Sequence, residues 1–207
     1  MKKILALILA LVCLLAVCSG CKKEEPSPYL KGKHHVEIEV QDYGTIALEL
    51  DADTAPITVT NFIELAKNGF YDGLTFHRII EGFMIQGGDP LGNGTGGSEN
   101  PIKGEFEANG VKNKISHKRG VISMARRSGD NNSASSQFFI MHKDNDTLDG
   151  AYAAFGHVTS GIEVVDAIAE NTPVQDKNGT VAKKDQPVIT AVRVIDRWKA
   201  WAVRRAG

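Results

Sequence analysis

Short stretches of alternating apolar and polar residues, separated by glycine-bearing turns, constrain the fold of this 207-residue chain more than any other feature. Val36–Val40 and Thr45–Leu50 alternate in this way, with Tyr43-Gly44 as a turn between them. A period of two is typical of a strand with one buried face. Further strands are predicted at Thr75–Ile80, Met84–Gly87, Val121–Ala125, Gln137–Met141, Ala153–His157 and Val188–Ile195.

Two segments show helical spacing instead. Their apolar positions are Val59, Phe62, Ile63 and Ala66 in the first and Ile162, Val165 and Ile168 in the second. Thr54 offers a hydroxyl for the N-cap of the first helix, Pro56 suits its first turn, and Gly69 suits its C-terminal cap. Many short strands with only two helices indicate an all-β fold, although periodicity alone leaves barrel and sandwich open.

The N-terminal segment carries a targeting signal. Lys2 and Lys3 precede the apolar run Ile4–Val17, which is shorter than the ~20 residues that span a bilayer. The sequence Leu15–Cys21 fits a bacterial lipoprotein cleavage box, because small residues stand before Cys21. We therefore interpret residues 1–20 as a lipoprotein signal peptide and Cys21 as its lipidation site, with an ordinary secretory signal as the alternative.

The remaining chain divides into a tether, a domain and a tail. The charged and proline-bearing composition after Cys21 predicts a flexible tether over residues 21–33. The domain covers residues 34–196, and a basic tail with two tryptophans covers residues 197–207. All three cysteines lie in the leader, so the domain is predicted to hold without disulfides. We expect an extracytoplasmic protein, lipid-anchored to a bacterial membrane.

Chemistry-bearing residues concentrate in two stretches. Phe76–Asp89 sets the cation Arg78 close to apolar side chains and to the amide of Gln86, and Ser136–Ile140 supplies a second amide, Gln137. Neither stretch holds an obvious nucleophile, a carboxylate pair or a metal cluster. A lone guanidinium among apolar side chains suits a reaction that breaks no covalent bond. The formal net charge of −1 argues against a general nucleic-acid binder.

The two stretches resemble the cyclophilin family of peptidyl-prolyl cis-trans isomerases. The likeness runs from about His35 to Asp196 and includes Ala55–Phe62, Gly69–Arg78, Gly94–Gly97, Leu148–Gly150 and Phe155-Gly156. The resemblance implies an eight-stranded antiparallel closed barrel capped by two α-helices, with the site on its outer face. It also implies that the reaction needs no cofactor and no metal.

The resemblance assigns roles residue by residue. Arg78 matches the catalytic position, and His77 either lines the site or is an ordinary structural histidine. Neighbouring strand residues face opposite sides, so one of Phe138 and Phe139 should lie in the core, and the resemblance implies that Phe139 faces the site and Phe138 the core. The substrate-binding positions implied by the resemblance are His77, Phe83, Met84, Gln86, Ala125, Arg126, Gln137, Phe139, Thr147, Leu148 and Tyr152.

We therefore predict a membrane-tethered isomerase whose partners are proline-containing segments of exported or unfolded proteins. The alternative is a non-catalytic module that binds or holds proline-containing segments in the same groove. Thr147 stands where well-known members of the family have tryptophan, so we expect only weak cyclosporin binding. We also expect a monomer that binds no nucleic acid.

Overall fold

The computed structural model describes residues 27–195. The predicted signal peptide, Cys21 and the basic tail lie outside the described residues. In chain order the strands and helices are β1 Lys33–Val40, β2 Gly44–Asp51, α1 Pro56–Lys67, β3 Phe76–Ile80, β4 Met84–Gly87, β5 Val121–Met124, β6 Phe138–Met141, β7 Ala154–Ser160, α2 Ile162–Asn171 and β8 Ile189–Val194. None of the helices described between residues 27 and 195 is long and apolar enough to cross a membrane.

The strands form one eight-stranded sheet in the order β3-β4-β6-β5-β7-β2-β1-β8, with antiparallel neighbours throughout. The sheet curls so that its edge strands meet at the isolated bridge between Thr75 and Val188. Beside this bridge the Phe76 N–H donates to the Pro187 carbonyl at 3.0 Å. The predicted antiparallel barrel with two helices is confirmed, although a short contact rather than a full ladder closes it.

The barrel interior is filled by the inward residues of the strands together with the apolar faces of both helices. Phe62 of α1 and Val165 of α2 are both fully buried in this core. Phe62 packs against Phe138 with ring centroids 5.6 Å apart, and against Tyr71 at 5.0 Å. Helix α1 contacts β2 and β8, and α2 contacts β2, β3 and β4. The interior is therefore occupied by side chains, so the outer face is left for a binding site.

A distant carboxylate caps the first helix. The prediction of Thr54 as the N-cap is wrong, because Ala55 occupies that position and the Thr54 hydroxyl donates to Asp51 at 2.8 Å. Buried Glu105 accepts from the N–H groups of Ile57 and Thr58 at 3.1 and 2.8 Å. This carboxylate satisfies donors that the first helical turn leaves free. The prediction of a left-handed Gly69 after the helix is confirmed, with φ 68°.

The residues just before β1 also pack on the domain. The Leu30 N–H donates to the Thr60 hydroxyl at 2.9 Å, and the Gly32 N–H donates to Asp53 at 2.8 Å. Leu30 itself packs against the core. The folded part therefore reaches back to about Leu30, into the segment that the sequence analysis gives to the tether.

Replacement of Glu105 tests the long-range cap. Glu105→Ala leaves two helical N–H groups and a buried threonine hydroxyl without their acceptor, so the free energy of unfolding should fall by about 2 to 3 kcal/mol. Urea denaturation followed by circular dichroism measures this change. Glu107→Ala is the matched control, since Glu107 is exposed two residues away. Equal stability of the two variants would show that the cap contributes nothing.

Candidate active site

The outer face of the sheet carries a second apolar cluster, separate from the core. Strand β6 contributes a residue to each cluster, since Phe138 lies in the core and Phe139 lies in the outer cluster. The buried members of the cluster are Met84, Val121, Phe139, Met141 and Ala154, and the partly buried residues packed against them are Ile80, Phe83, Ile115, Ala125, Leu148 and Tyr152. The cluster therefore brings together six of the residues that the resemblance assigns to substrate binding.

The polar residues of the site come from paired positions on neighbouring strands. Arg78 of β3 stands opposite Gln86 of β4, and Gln86 stands opposite Phe139 of β6. Directly opposite residues in a sheet share a face. The register thus places the cation, the amide and the aromatic ring in one row across three strands.

Arg78 is held by contacts on two sides of its guanidinium. Its Nε donates to the Asn178 carbonyl at 2.8 Å, and its Nη1 donates to Gln86 Oε1 at 3.3 Å. Nη1 also lies 3.9 Å from the sulfur of Met84, at the edge of the outer cluster. Burial lowers the pKa of Arg78, and the neighbouring Tyr152 and Asp176 oppose this effect. An arginine with such a pKa still carries its charge at neutral pH.

A hydrogen-bonded relay continues from Gln86. Its Nε2 donates to Gln137 Oε1 at 2.9 Å, and Gln137 Nε2 donates to the Gly96 carbonyl at 2.7 Å. Because each amide gives its oxygen to the previous donor, the relay fixes which way both amides point. The acceptor side of Gln86 faces Arg78, so the relay orients the guanidinium through Gln137, the residue directly before β6.

A loop after α2 supplies the carbonyl that binds Arg78. The Asp176 carboxylate accepts from the N–H groups of Asn178 and Thr180 at 2.9 and 3.1 Å, which closes a tight turn. The Ile79 N–H donates to the Gly179 carbonyl at 2.8 Å and docks the turn on β3. The sequence analysis missed this loop, although the turn-forming pattern Asp176–Gly179 was a signal for it.

The remaining predicted residues occupy different surroundings. The Arg126 guanidinium lies 4.8 Å from the Tyr152 ring centroid, and its Nε donates to the Ala151 carbonyl at 3.0 Å. Arg126 therefore stabilises the position of Tyr152 in the outer cluster. Thr147 is exposed, and its hydroxyl donates to Asn145 Oδ1 at 2.6 Å. Weak cyclosporin binding through Thr147 stays a prediction.

A buried histidine behind Phe139 was also missed. The His117 ring stacks on Phe139 with centroids 6.0 Å apart, and its Nδ1 lies 2.8 Å from Asp149 Oδ1. Its Nε2 lies 3.1 Å from the Ser123 hydroxyl. Burial lowers the pKa of His117, and Asp149 opposes this shift. The neutral ring then donates from Nδ1 to the carboxylate and accepts from Ser123 at Nε2, which ties the Leu148 loop to β5.

His77 directly precedes Arg78 in β3, and it is a buried residue. The residue is 4% exposed, and neither ring nitrogen has a partner of good hydrogen-bond geometry among the described residues. Burial lowers the pKa of His77, opposed by the charge of Asp89 and by the Thr75 backbone, which lies close enough to raise the pKa of the ring. His77 lines a groove of about 610 Å³ that it shares with Arg78 and Gln86. A second groove, of about 570 Å³, is lined by Gln86, Gln137 and the loop around Arg127.

Comparison with known proteins identifies the family. Residues 35–194 match the family described as cyclophilin type peptidyl-prolyl cis-trans isomerase/CLD. The chain is 48% identical over 124 residues to peptidyl-prolyl cis-trans isomerase B of Bacillus subtilis, covering 60% of this chain and 82% of the relative. It is 48% identical over 134 residues to a peptidyl-prolyl cis-trans isomerase of Helicobacter pylori, covering 64% of this chain and 78% of the relative.

A solved structure leads to the same family. A cyclophilin type isomerase of Cryptosporidium parvum superposes with a TM-score of 0.70 at 31% identity, covering 80% of this chain and 99% of that one. The overall fold is thus shared with a solved isomerase. The chain belongs to the cyclophilin-type peptidyl-prolyl cis-trans isomerase family, as its motifs predicted.

The two buried histidines predict how stability depends on pH. A histidine whose pKa lies below its ordinary 6.5 in the folded state binds its proton more readily in the unfolded chain. The free energy of unfolding should therefore be highest above pH 6.5 and fall as the pH drops below it. The fall should reach ~1.4 kcal/mol per pH unit for each histidine, until the pH passes its folded pKa. Urea unfolding between pH 7.5 and 5.0 measures the slope.

His77→Leu should remove about half of this slope, since one of the two buried rings is gone. Exposed His157 provides the control substitution His157→Gln, because its ring stays in water in both states. An unchanged slope in His77→Leu would contradict the account of the buried ring.

Proposed function

We propose that Arg78 drives the isomerisation by stabilising the twisted X-Pro amide against the outer apolar cluster. Rotation about this bond breaks amide resonance, across a barrier of ~18–20 kcal/mol. A guanidinium beside the twisted amide donates to the nitrogen lone pair, which the planar forms delocalise into the carbonyl group. Because the interaction is stronger in the transition state than in either isomer, it raises the rate rather than only the affinity.

The orientation of Arg78 is the observation that carries this proposal. Nε is fixed by the Asn178 carbonyl at 2.8 Å and Nη1 by Gln86 at 3.3 Å, while Met84 lies alongside. A preorganised donor costs no rearrangement at the moment of reaction. The apolar cluster around Phe139 offers a surface of the kind that a proline ring can fill.

A module that only binds proline segments is the alternative. Such a module needs the apolar cluster, but it gives no role to a guanidinium held by two elements. The names of the Bacillus and Helicobacter relatives also favour catalysis. A second crystal structure of the Cryptosporidium enzyme was obtained in the presence of the dipeptide Ala-Pro. We infer that proline-containing segments of exported proteins are the substrates of this chain.

Substitution of Arg78 tests the catalytic role. Arg78→Ala should lower kcat/KM for a proline peptide by about 10² to 10³ while the circular dichroism spectrum is kept. Arg78→Lys should recover little, since an ammonium cannot reproduce the planar fork of donors. A protease-coupled peptide assay measures the turnover, and calorimetry measures the peptide affinity, which should change less.

Arg193→Ala is the matched control, because Arg193 pairs with Glu39 on the surface of β1 and β8. It should keep full activity. Near-full activity in Arg78→Ala would refute the mechanism, whereas a parallel loss of binding and turnover would favour the binding module.

We also propose that the domain works at a membrane surface, anchored through Cys21. The apolar run before Cys21 and the charged, proline-bearing segment after it support this location. Two acyl chains on such a residue anchor a protein stably, whereas one chain does not.

Fractionation of cells that express Cys21→Ala tests the anchor. The variant should appear in the soluble exported fraction or stay unprocessed, because the acceptor thiol is gone. Cys18→Ala is the control and should remain in the membrane fraction. Normal processing and membrane retention of Cys21→Ala would exclude lipidation at that residue.

A further inference from the structure

The groove lined by His77 lies next to the row formed by Arg78, Gln86 and Phe139. It lies between the loop Leu91–Gly94 and the segment Gln175–Gln186, and Arg78 and Gln86 form part of its lining. A peptide whose X-Pro amide lies at Arg78 therefore carries its flanking residues close to this groove. At about 610 Å³ the groove is large enough for a side chain of the bound segment.

Both charged side chains in the lining of this groove are cations. Its lining contains the cations Arg78 and Lys183 and no aspartate or glutamate. The other groove is balanced, because Glu99 and Asp130 lie in its lining together with Arg126 and Arg127. In the part of the chain that the structure describes, neither Arg78 nor Lys183 forms an ion pair.

Two carboxylates close to the groove accept hydrogen bonds from their own loops. Asp89 accepts from the N–H groups of Leu91, Asn93 and Gly94 at 2.9, 3.1 and 2.6 Å. Asp176 is committed to its own turn. These carboxylates keep their negative charge, and Asp176 acts on Arg78 while Asp89 acts on His77, so Lys183 is the cation of the lining that is most available to a ligand.

Lys183 is placed by contacts across the groove. Its Nζ donates to the Leu91 carbonyl at 3.4 Å. Beneath it, Gln186 Nε2 donates to the carbonyls of Gly92 and Val181 at 2.9 and 3.1 Å, which joins the two sides of the groove. An ammonium has three donors, so two remain for a ligand.

His77 adds a second and independent observation. A buried side chain with two unpartnered ring nitrogens is rare in folded proteins, because buried polar groups are nearly always hydrogen-bonded. The ring lies in the lining of the same groove. Both ring nitrogens are shielded from solvent, so the ring forms part of the groove wall and the donors for a ligand come from Lys183.

We propose that this groove is a subsite for an acidic side chain of the substrate, next to the isomerised proline, and that Lys183 selects it. The carboxylate binds the free donors of Lys183, while Arg78 keeps its bonds to Asn178 and Gln86 and attracts the carboxylate from a greater distance. The inference rests on the proposed function, because it needs the X-Pro amide to lie at Arg78. It makes the enzyme selective for proline segments that carry aspartate or glutamate nearby.

The test compares peptides that differ only in charge. A neutral proline peptide receives glutamate, glutamine or lysine at each of three positions on either side of the X-Pro bond, and kcat/KM is measured with the full-length protein at low ionic strength. At one position glutamate should exceed glutamine by about threefold to fivefold, and lysine should fall below glutamine. This preference should shrink in high salt.

Charge reversal identifies the residue responsible. Lys183→Glu should abolish the glutamate preference and favour lysine at that position. Lys184→Glu is the matched control, since Lys184 is exposed, is the neighbour of Lys183 and lies outside the groove lining. It makes the same change in net charge and should keep the preference for glutamate.

The outcomes separate the subsite from the enzyme. Equal turnover of all peptides by the wild-type protein, or equal effects of Lys183→Glu and Lys184→Glu, would overturn the subsite alone. Absence of turnover with every peptide would instead overturn the proposed function.

Discussion

The hydrogen bond from Arg78 Nε to the Asn178 carbonyl, 2.8 Å long, is the interaction on which the site depends. A free arginine side chain on a strand samples many rotamers, and ordering it costs up to ~2 kcal/mol of entropy. The Asp176 turn and the amide relay of Gln86 and Gln137 order the Arg78 side chain before any substrate binds. In the proposed mechanism the guanidinium therefore meets the substrate already oriented, which is the condition for electrostatic catalysis.

The barrel makes this arrangement possible by separating two faces of the same strands. Phe138 points inward and packs on Phe62, while Phe139 points outward beside Met84. Because the core is complete without the outer cluster, the outer residues are free to serve binding. Substitutions of the partly buried polar residues Arg78 and Gln86 should accordingly change turnover more than they change the stability of the fold. The buried ring of His117 stacks on Phe139 and helps to hold it in the outer cluster.

The strands and both helices were predictable from the sequence, because period-two and helical spacings report burial directly, and alternation required Phe138 and Phe139 to lie on opposite faces. The family motifs then indicated which outward residues share a site. The Glu105 cap, the Asn178 carbonyl and the His117 contacts were not predictable in this way. Each joins residues that are far apart in the chain, and each uses a backbone group or a single side chain that leaves no periodic signal. Only the turn pattern at Asp176–Gly179 was visible, and it indicated a turn without its partner.

In the proposed mechanism, the orientation of Arg78 and not only its presence accelerates the reaction. Exchange spectroscopy by NMR on a saturating proline peptide measures the cis–trans rate of the bound peptide directly. Gln137→Leu removes the acceptor that fixes Gln86 and leaves Arg78 and the outer cluster in place. Because Gln137 is also a predicted substrate-binding residue, the peptide concentration is kept saturating for both proteins, and the proposed mechanism predicts slower exchange of the bound peptide in Gln137→Leu. An unchanged exchange rate, with or without weaker binding, would contradict it.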